Sequence, residues 1–171
     1  MRVRTAGLTL VETAVLVSLA GILLAVFVPT FFAKLRTSKV QEASDMLESI
    51  HRATAAYYET RHERQRRCLP PSAPPTPAEP SASPVQVDFS AEPWASLGIP
   101  NEDRLRYSYE LIVPSAGCDV RVPAGRPLFT IRAYGDLDDD GVRSTFERSA
   151  TLDEDGKVVP LGVLYVSRRI E

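Results

Sequence analysis

The sequence is poor in the residues from which most active sites and metal centres are built. Its 171 residues include only two histidines, two cysteines and one tryptophan. They contain no Ser/His/Asp arrangement, no glycine-rich phosphate loop and no zinc-ligand cluster, so we predict that the protein is not an enzyme. The formal net charge of −2 lacks the basic excess typical of nucleic-acid-binding domains, and we predict no specific nucleic-acid partner.

Charge is also almost absent near the N-terminus. Between Leu8 and Val28 the only ionisable side chain is Glu12, and a helix over this run can cross the roughly 30 Å hydrocarbon core of a bilayer. A secretory signal peptide is the alternative, because Arg2 and Arg4 precede the run. The run is longer than a usual signal core and is not closed by small residues, which favours a membrane-spanning helix.

Glu12 is the unusual feature of this helix. A carboxylate inside a membrane helix costs about 2.5 to 3.5 kcal/mol on insertion scales and commonly marks a function or a partner. The alternative is a purely local role, because Glu12 lies close to the helix start. There it can reach the headgroups and favour the positive end of the helix dipole.

The residues around Glu12 carry a resemblance. The segment AGLTLVE, with Gly7 before an apolar residue and Glu12 five residues later, resembles the type III signal sequence of type IV pilins and of type II secretion pseudopilins. The resemblance covers about residues 2–58. It implies that a prepilin peptidase cleaves between Gly7 and Leu8 and methylates the new amine of Leu8. It also implies an inner-membrane assembly platform and a helical filament of identical or homologous subunits as partners.

Two more helix positions match the family. Gly21 and Pro29 stand where the family's helix carries a glycine and a proline. Proline removes one helical hydrogen bond, so we expect a bend or a loosening at Pro29, which Gly21 would assist. The compatible alternative is that Pro29 marks the exit from the membrane.

A processed N-terminus would explain the acidic residue. Leu8 and Glu12 are four residues apart, so the amine of Leu8 would lie within reach of a carboxylate on its own chain or on a neighbouring chain. An unpaired Glu12 is penalised in the bilayer, whereas one paired with the amine of an incoming subunit is not. Burial of the charge then favours ordered addition of subunits.

The fold predicted from these patterns is α+β, with a long N-terminal helix packed on a C-terminal antiparallel sheet, and the resemblance implies that it is pilin-like. Apolar residues recur every three or four positions from Val40 to Tyr57, which predicts that the helix continues to about Arg66 with one buried face. A long coiled coil is the alternative. The predicted segments are a leader (1–7), an assembly helix (8–33), an amphipathic continuation (34–67), a proline-rich linker loop (68–84) and a sheet domain (85–171).

The sheet is predicted from short segments of alternating apolar residues. The clearest are residues 104–113, 127–135, 144–152 and 161–170, which are rich in β-branched and aromatic residues and separated by Pro, Gly and Asp. The segment EPWASLGIP predicts a short helical turn with Trp94 in the core. The two cysteines, Cys68 and Cys118, suit a single disulfide outside the cytoplasm, with two free thiols as the alternative.

The densest acidic cluster lies at DLDDDGVRSTFE, residues 136–147. Its spacing follows the D-x-D-x-D-G calcium loop, although no helices flank it, so we predict a strand-connecting Ca²⁺ loop rather than an EF-hand. The alternative is an ordinary acidic hairpin turn, for which Asp-Gly is a common signal. The predicted ligands are Asp136, Asp138, Asp140, the carbonyl of Val142, Ser144 and Glu147.

The resemblance, taken with these patterns, implies a structural subunit of a type IV pilus or pilus-like filament. The alternatives are a type II secretion pseudopilin, a minor pilin acting as a calcium-dependent adhesin or DNA-uptake component, and a monomeric membrane-anchored periplasmic protein. The resemblance implies a single pass through a bacterial inner membrane, with the C-terminal domain in the periplasm. The filament would then assemble at the cell surface or in the periplasm.

Overall fold

The structure, a computed structural model, describes residues 9–101, 104–123 and 125–167, with the backbone alone for residues 32–38. Contacts within the chain divide it into two units, Met1–Ser38 and Lys39–Glu171. A long helix at the N-terminus and an antiparallel sheet in the C-terminal part give the chain an α+β fold.

One helix, α1 (Leu10–Glu59), accounts for the long helical pattern. Within the second unit it buries one face, as the periodicity predicted, and the fully buried positions of that face are Ala43, Leu47, Ile50 and Thr54. Val40 and Tyr57 are partly buried, and Tyr58 rather than Tyr57 is the buried tyrosine of the last turn. The amphipathic pattern therefore identified the face that the core covers.

The helix ends earlier than the sequence predicted, at Glu59 rather than near Arg66. The imidazole Nε2 of His62 lies 2.8 Å from the carbonyl oxygen of Tyr57, and this bond satisfies a backbone acceptor of the last turn. Shortly afterwards Arg64 adopts a left-handed φ of 58°. The His62 side chain thus takes the place of the next backbone donor, and the helix stops. The arginine-rich segment at residues 61–67 therefore lies beyond the end of α1.

The second unit is built on one five-stranded antiparallel sheet with two small two-stranded ribbons. The strands are β1 (Cys68–Leu69), β2 (Ala73–Thr76), β3 (Val85–Gln86), β4 (Arg104–Leu105), β5 (Ser108–Ile112), β6 (Gly117–Cys118), β7 (Phe129–Gly135), β8 (Ser144–Leu152) and β9 (Val158–Ser167). In the large sheet the order is β2-β5-β7-β8-β9, while β1 pairs with β6 and β3 pairs with β4. The short helix α2 (Trp94–Leu97) forms where a helical turn was predicted, and Trp94 is buried.

The proline-rich segment 68–84 was predicted to be only a linker loop, and this is corrected by the structure. It contains β1 and β2, and β2 forms one edge of the large sheet by pairing with β5. Prolines are tolerated there because an edge strand needs ladder donors on one side only. Composition could not predict β2, because Pro74 and Pro75 are typical of loops and only the pairing with β5 makes this segment a strand.

The core of the second unit lies between the second half of α1 and the large sheet. Alternate residues of β7 and β8 point into it, including Phe129, Ile131, Ala133, Phe146 and Ala150, each exposed by 1% or less. The ring of His51 on α1 packs against Phe129 with centroids 5.6 Å apart. The sheet therefore has one face covered by the helix, as the alternation predicted.

Candidate functional site

The first unit presents an apolar helix that its own chain leaves uncovered. Over Leu10–Phe31, 22 residues with a mean hydropathy of 2.4, none of the window is buried within the described chain. At 1.5 Å per residue this segment is about 33 Å long, which matches the hydrocarbon core of a bilayer. The protein therefore has one N-terminal helix long and apolar enough to cross a membrane.

The hydroxyl groups within this segment are satisfied by the helix itself. The side chains of Thr13, Ser18 and Thr30 each donate a hydrogen bond of 2.9 Å to a backbone carbonyl one turn earlier. Such back-bonding hides the hydroxyl from an apolar environment. Glu12 is the one side chain of the segment that carries a formal charge.

Glu12 takes part in a reciprocal N-terminal cap. Its carboxylate oxygen Oε2 accepts hydrogen bonds from the backbone N–H and from the hydroxyl of Thr9, both at 2.8 Å. In return the backbone N–H of Glu12 donates to the Thr9 hydroxyl at 3.3 Å. This arrangement is a capping box, which satisfies backbone donors at the helix start. Oε1, the second carboxylate oxygen, takes no part in these bonds.

The other predicted N-terminal positions are the cleavage point, Pro29 and Gly21. The predicted cleavage point between Gly7 and Leu8 lies outside the described residues. Pro29 lies inside α1 and does not interrupt it, because the helix continues to Glu59. A Cβ placed on Gly21 would meet no atom within 4 Å, so no packing contact within the described chain requires glycine there.

The acidic loop joins β7 to β8 and brings three of the predicted ligands together. Carboxylate oxygens of Asp136, Asp138 and Asp140 lie within 4.8 Å of one another. The two oxygens of Asp136 accept the backbone N–H groups of Asp140 and Gly141, at 3.2 and 3.0 Å. Gly141, with a φ of 84°, takes the left-handed conformation that the Asp-Gly pair predicted.

Two predicted ligands lie elsewhere and are corrected. Ser144 is the first residue of β8, and its buried hydroxyl donates to the carbonyl of Gly135 at 3.3 Å. Glu147 faces Arg132 across the sheet, and the Arg132 Nε lies 2.6 Å from its Oε2. The hairpin register explains both, because pairing of Gly135 with Ser144 also sets Arg132 opposite Glu147. Once the ends of β7 and β8 are known, counting three residues back along β7 and three forward along β8 gives the pairing of Arg132 with Glu147.

The three aspartates are compatible with a hard cation but do not complete its shell. Ca²⁺ takes six to eight oxygen ligands, and carboxylates that already accept a backbone N–H keep a lone pair for a metal. Carbonyl groups such as that of Val142 would have to supply the rest. The N–H of Val142 itself donates to Asp140 Oδ1 at 2.7 Å. Backbone donors thus offset part of the charge in the loop without any cation.

The acidic loop is also tied to the proline-rich segment, a contact that the sequence did not reveal. Asp139 Oδ1 accepts the backbone N–H of Ala82 at 3.2 Å, and Arg143 forms an ion pair with Glu79. Both partners are more than 50 residues distant in sequence. No local pattern signals such a pairing.

The predicted disulfide between Cys68 and Cys118 is present and joins β1 to β6. Next to it the backbone N–H of Asp119 donates to the carbonyl of Arg67 at 2.8 Å. The guanidinium of Arg67 lies over the ring of Tyr58, 5.7 Å from its centroid. The disulfide therefore fastens the chain just after α1 to the region between β5 and β7.

Glu42, a polar residue of α1 outside the apolar repeat, connects the helix to the segment before β5. Its Oε1 accepts the backbone N–H groups of Arg106 and Tyr107, at 2.6 and 3.3 Å, and its Oε2 pairs with the Arg106 guanidinium at 3.1 Å. Tyr107 is fully buried, and burial, followed by the negative charge of Glu42, raises the pKa of its hydroxyl to about 12. This contact locks α1 to the start of β5.

Comparisons of the chain with protein-family models, with curated proteins and with solved structures find no match. Any function assigned to the chain therefore rests on its own residues and their geometry. Of these, the uncovered apolar helix with its single carboxylate is the feature that folding of this chain alone leaves unexplained.

Proposed function

We propose that the protein is a structural subunit of a type IV pilus or a pilus-like filament, polymerised through its N-terminal helix. The observation that carries the proposal is the segment Leu10–Phe31, none of which is buried within the described chain. So long an apolar surface needs a covering of lipid or of neighbouring helices. Before assembly the membrane lipid would cover this surface. In the filament the helices of neighbouring subunits would cover it.

Glu12 gives the assembly its specificity. We infer that a prepilin peptidase removes residues 1–7, so that the new amine of Leu8 begins the helix. An incoming subunit then presents a positive amine to the Glu12 of its neighbour, and the pairing offsets the roughly 2.5 to 3.5 kcal/mol cost of a carboxylate in the membrane. The capping box engages Oε2, which leaves Oε1 for a partner of opposite charge.

Gly21 is consistent with close helix packing between subunits. A Cβ there would meet open space in its own chain, whereas small residues let helices approach closely in membranes and filaments. The disulfide and the membrane helix agree with a single pass through a bacterial inner membrane and a periplasmic second unit, because disulfides persist outside the cytoplasm.

The decisive experiment separates the charge of Glu12 from its capping function. Glu12→Gln keeps an oxygen that can accept from Thr9, since Gln also serves in capping boxes, but it removes the negative charge. We expect Glu12→Gln to abolish filaments seen by electron microscopy while the protein level in the membrane is unchanged. Thr9→Val, which removes the hydroxyl of the cap and keeps the charge, is the matched control and should still assemble. Normal filaments in Glu12→Gln would refute the charge-pairing account.

The N-terminus provides an independent test. Mass spectrometry of the purified protein should find a chain that begins at Leu8 and carries one methyl group. A protein that begins at Met1 and never polymerises would instead be a monomeric membrane-anchored protein, and the filament proposal would be abandoned.

A pseudopilin of a type II secretion machine is the second candidate, favoured by the three gathered aspartates of the acidic loop. We propose Ca²⁺ as their ligand. Calorimetry on the full chain in detergent should show calcium binding that Asp138→Asn weakens by about tenfold or more, since ligand charge sets affinity in such loops. Asp119→Asn, an exposed aspartate outside the loop, is the matched control. If the wild-type protein shows no binding heat at millimolar calcium, the loop is an ordinary hairpin turn.

A further inference from the structure

A cavity of about 270 Å³ lies in the second unit, where the chain runs from β5 to β7. The described residues that line it all fall between positions 114 and 128. They include neither an aspartate of the acidic loop nor a cysteine of the disulfide. The cavity is therefore distinct from the features described above.

The lining of the cavity is mostly apolar. Leu128, only 1% exposed, belongs to the core of the second unit, and the half-buried Val120 and Val122 pack against that core. All three side chains line the cavity. A concave apolar surface with a few polar groups is typical of small-molecule binding sites.

The backbone around the cavity is held at several points. The disulfide fixes Cys118 within the segment. The N–H of Arg126 donates to the carbonyl of Pro123 at 3.0 Å, and the N–H of Leu128 donates to the carbonyl of Ala150 at 2.7 Å. Three of the lining residues are prolines, whose rings fix the backbone φ: Pro114, Pro123 and Pro127. Because this backbone is already restrained, it loses little conformational freedom when a ligand binds.

The charge of the lining is of one sign. Arg121 and Arg126 both line the cavity and both are exposed. Within residues 9–101, 104–123 and 125–167, no carboxylate forms an ion pair with either guanidinium. The nearest acidic residue in the sequence, Asp119, is not among the lining residues. The lining therefore carries two positive charges that an anionic ligand would complement.

The volume of the cavity limits the size of the ligand. An apolar cavity of about 150 Å³ holds one benzene molecule, and sites for drug-sized ligands begin at about 300 Å³. The cavity of about 270 Å³ lies between these values. It therefore has room for an apolar group of one or two rings, and it is too small for a long peptide segment.

We propose that this cavity binds a small apolar molecule that carries one oxyanion group, a carboxylate or a phosphate. The apolar part lies against Val120, Val122 and Leu128, and the oxyanion accepts hydrogen bonds from Arg121 and Arg126. A planar guanidinium presents paired N–H donors whose spacing matches two oxygens of such a group. The inference does not depend on the proposed function, because it uses the second unit and not the N-terminal helix.

The test is methyl NMR of the full-length protein in lipid nanodiscs, with three probes that share a naphthalene ring. We expect 1-naphthoate and 1-naphthyl phosphate to cause saturable shifts of the Val120, Val122 and Leu128 methyl signals, and the tighter of the two identifies the preferred oxyanion. The cation 1-naphthylmethylamine should cause no saturable shift. The proposal is overturned if neither anion gives saturable shifts at these methyl groups, or if the amine binds as tightly as the anions.

Removal of the two positive charges tests the role of the arginines. We expect the double variant Arg121→Gln, Arg126→Gln to raise the Kd of the tighter anion about fivefold, the scale expected for two exposed ion pairs. Arg61→Gln is the matched control, because Arg61 is exposed but does not line the cavity, and its Kd should equal that of the wild-type protein. An unchanged Kd in the double variant would refute recognition of the anion by these arginines.

A larger side chain tests the location of the ligand without a change of charge. Ser115 lines the cavity and is exposed, so Ser115→Phe should fill part of the space, leave the fold intact and abolish anion binding. Ser83→Phe, at an exposed serine outside the cavity, is the matched control and should bind as the wild-type protein does. Undiminished binding in Ser115→Phe would place the ligand elsewhere and overturn the proposal. Glu12→Gln should keep the binding, which distinguishes this proposal from the filament proposal.

Discussion

Replacement of Glu42 provides the most direct test of how the helix is held on the sheet. Its carboxylate accepts two backbone N–H groups and pairs with the guanidinium of Arg106. The side chain of Glu42 is 15% exposed and that of Arg106 is 26% exposed, so water can replace few of these bonds. Removal of the carboxylate would leave buried donors without an acceptor.

The magnitude follows from these contacts. A hydrogen bond to a charged group contributes about 1.5 to 3 kcal/mol, and breaking a buried pair costs about 3 to 5 kcal/mol. The bond at 3.3 Å adds little, so we expect Glu42→Ala to lower the free energy of unfolding by about 3 to 5 kcal/mol. Glu42→Gln keeps one acceptor and should cost about 1 to 2 kcal/mol. For a unit of this size the alanine variant should melt roughly 10 to 20 °C lower.

The assay can use the single tryptophan. Trp94 is 2% exposed in the core of the second unit, so its fluorescence in detergent reports urea unfolding of that unit. Glu48→Ala is the matched control, because Glu48 lies on the same helix but is 40% exposed where it pairs with Arg52 and Arg148. Its loss should cost at most about 1 kcal/mol. If Glu42→Ala and Glu48→Ala lower the free energy of unfolding equally, and the slope of that free energy against urea concentration is unchanged, the reasoning is refuted.

Two further predictions concern His51 and the disulfide. Burial, and then the positive charge of Arg148, hold the pKa of His51 below its ordinary value of 6.5, against the opposing effect of Glu48. The unfolded chain therefore takes up the proton first, and stability should fall as pH drops below about 6.5, a loss that His51→Leu should reduce in pH-dependent urea titrations. If both proteins lose stability equally on acidification, His51 is not the cause. The disulfide closes a separation of 50 residues, which corresponds to about 4 kcal/mol of stabilisation in the chain-entropy model. The double variant Cys68→Ser, Cys118→Ser should therefore lose about 4 kcal/mol of unfolding free energy in urea titrations. A loss below about 1 kcal/mol would contradict this account.

Two of the failed predictions, the ligand role of Glu147 and the proline-rich loop, share one physical origin, which is strand register. Glu147 was assigned to the metal loop from its distance along the chain, yet β8 begins at Ser144 and directs Glu147 toward Arg132. The proline-rich segment was predicted to be a loop from its composition, yet pairing with β5 makes part of it a strand. Both outcomes depend on which distant residue lies alongside, and spacing within one segment does not encode that.

The sequence by itself determined the features that arise from local periodicity and composition. These are the apolar N-terminal helix with Glu12 as its only charge, the buried face of α1, and the position of β8, because a helix or strand imposes its repeat on its own residues. Tertiary structure alone decided that Glu147 pairs with Arg132 instead of joining the acidic loop, and that Glu42 is locked to the start of β5. It also left β9 with an open edge. Each of these depends on contacts between residues far apart in the chain, which the local repeat of a helix or strand does not encode.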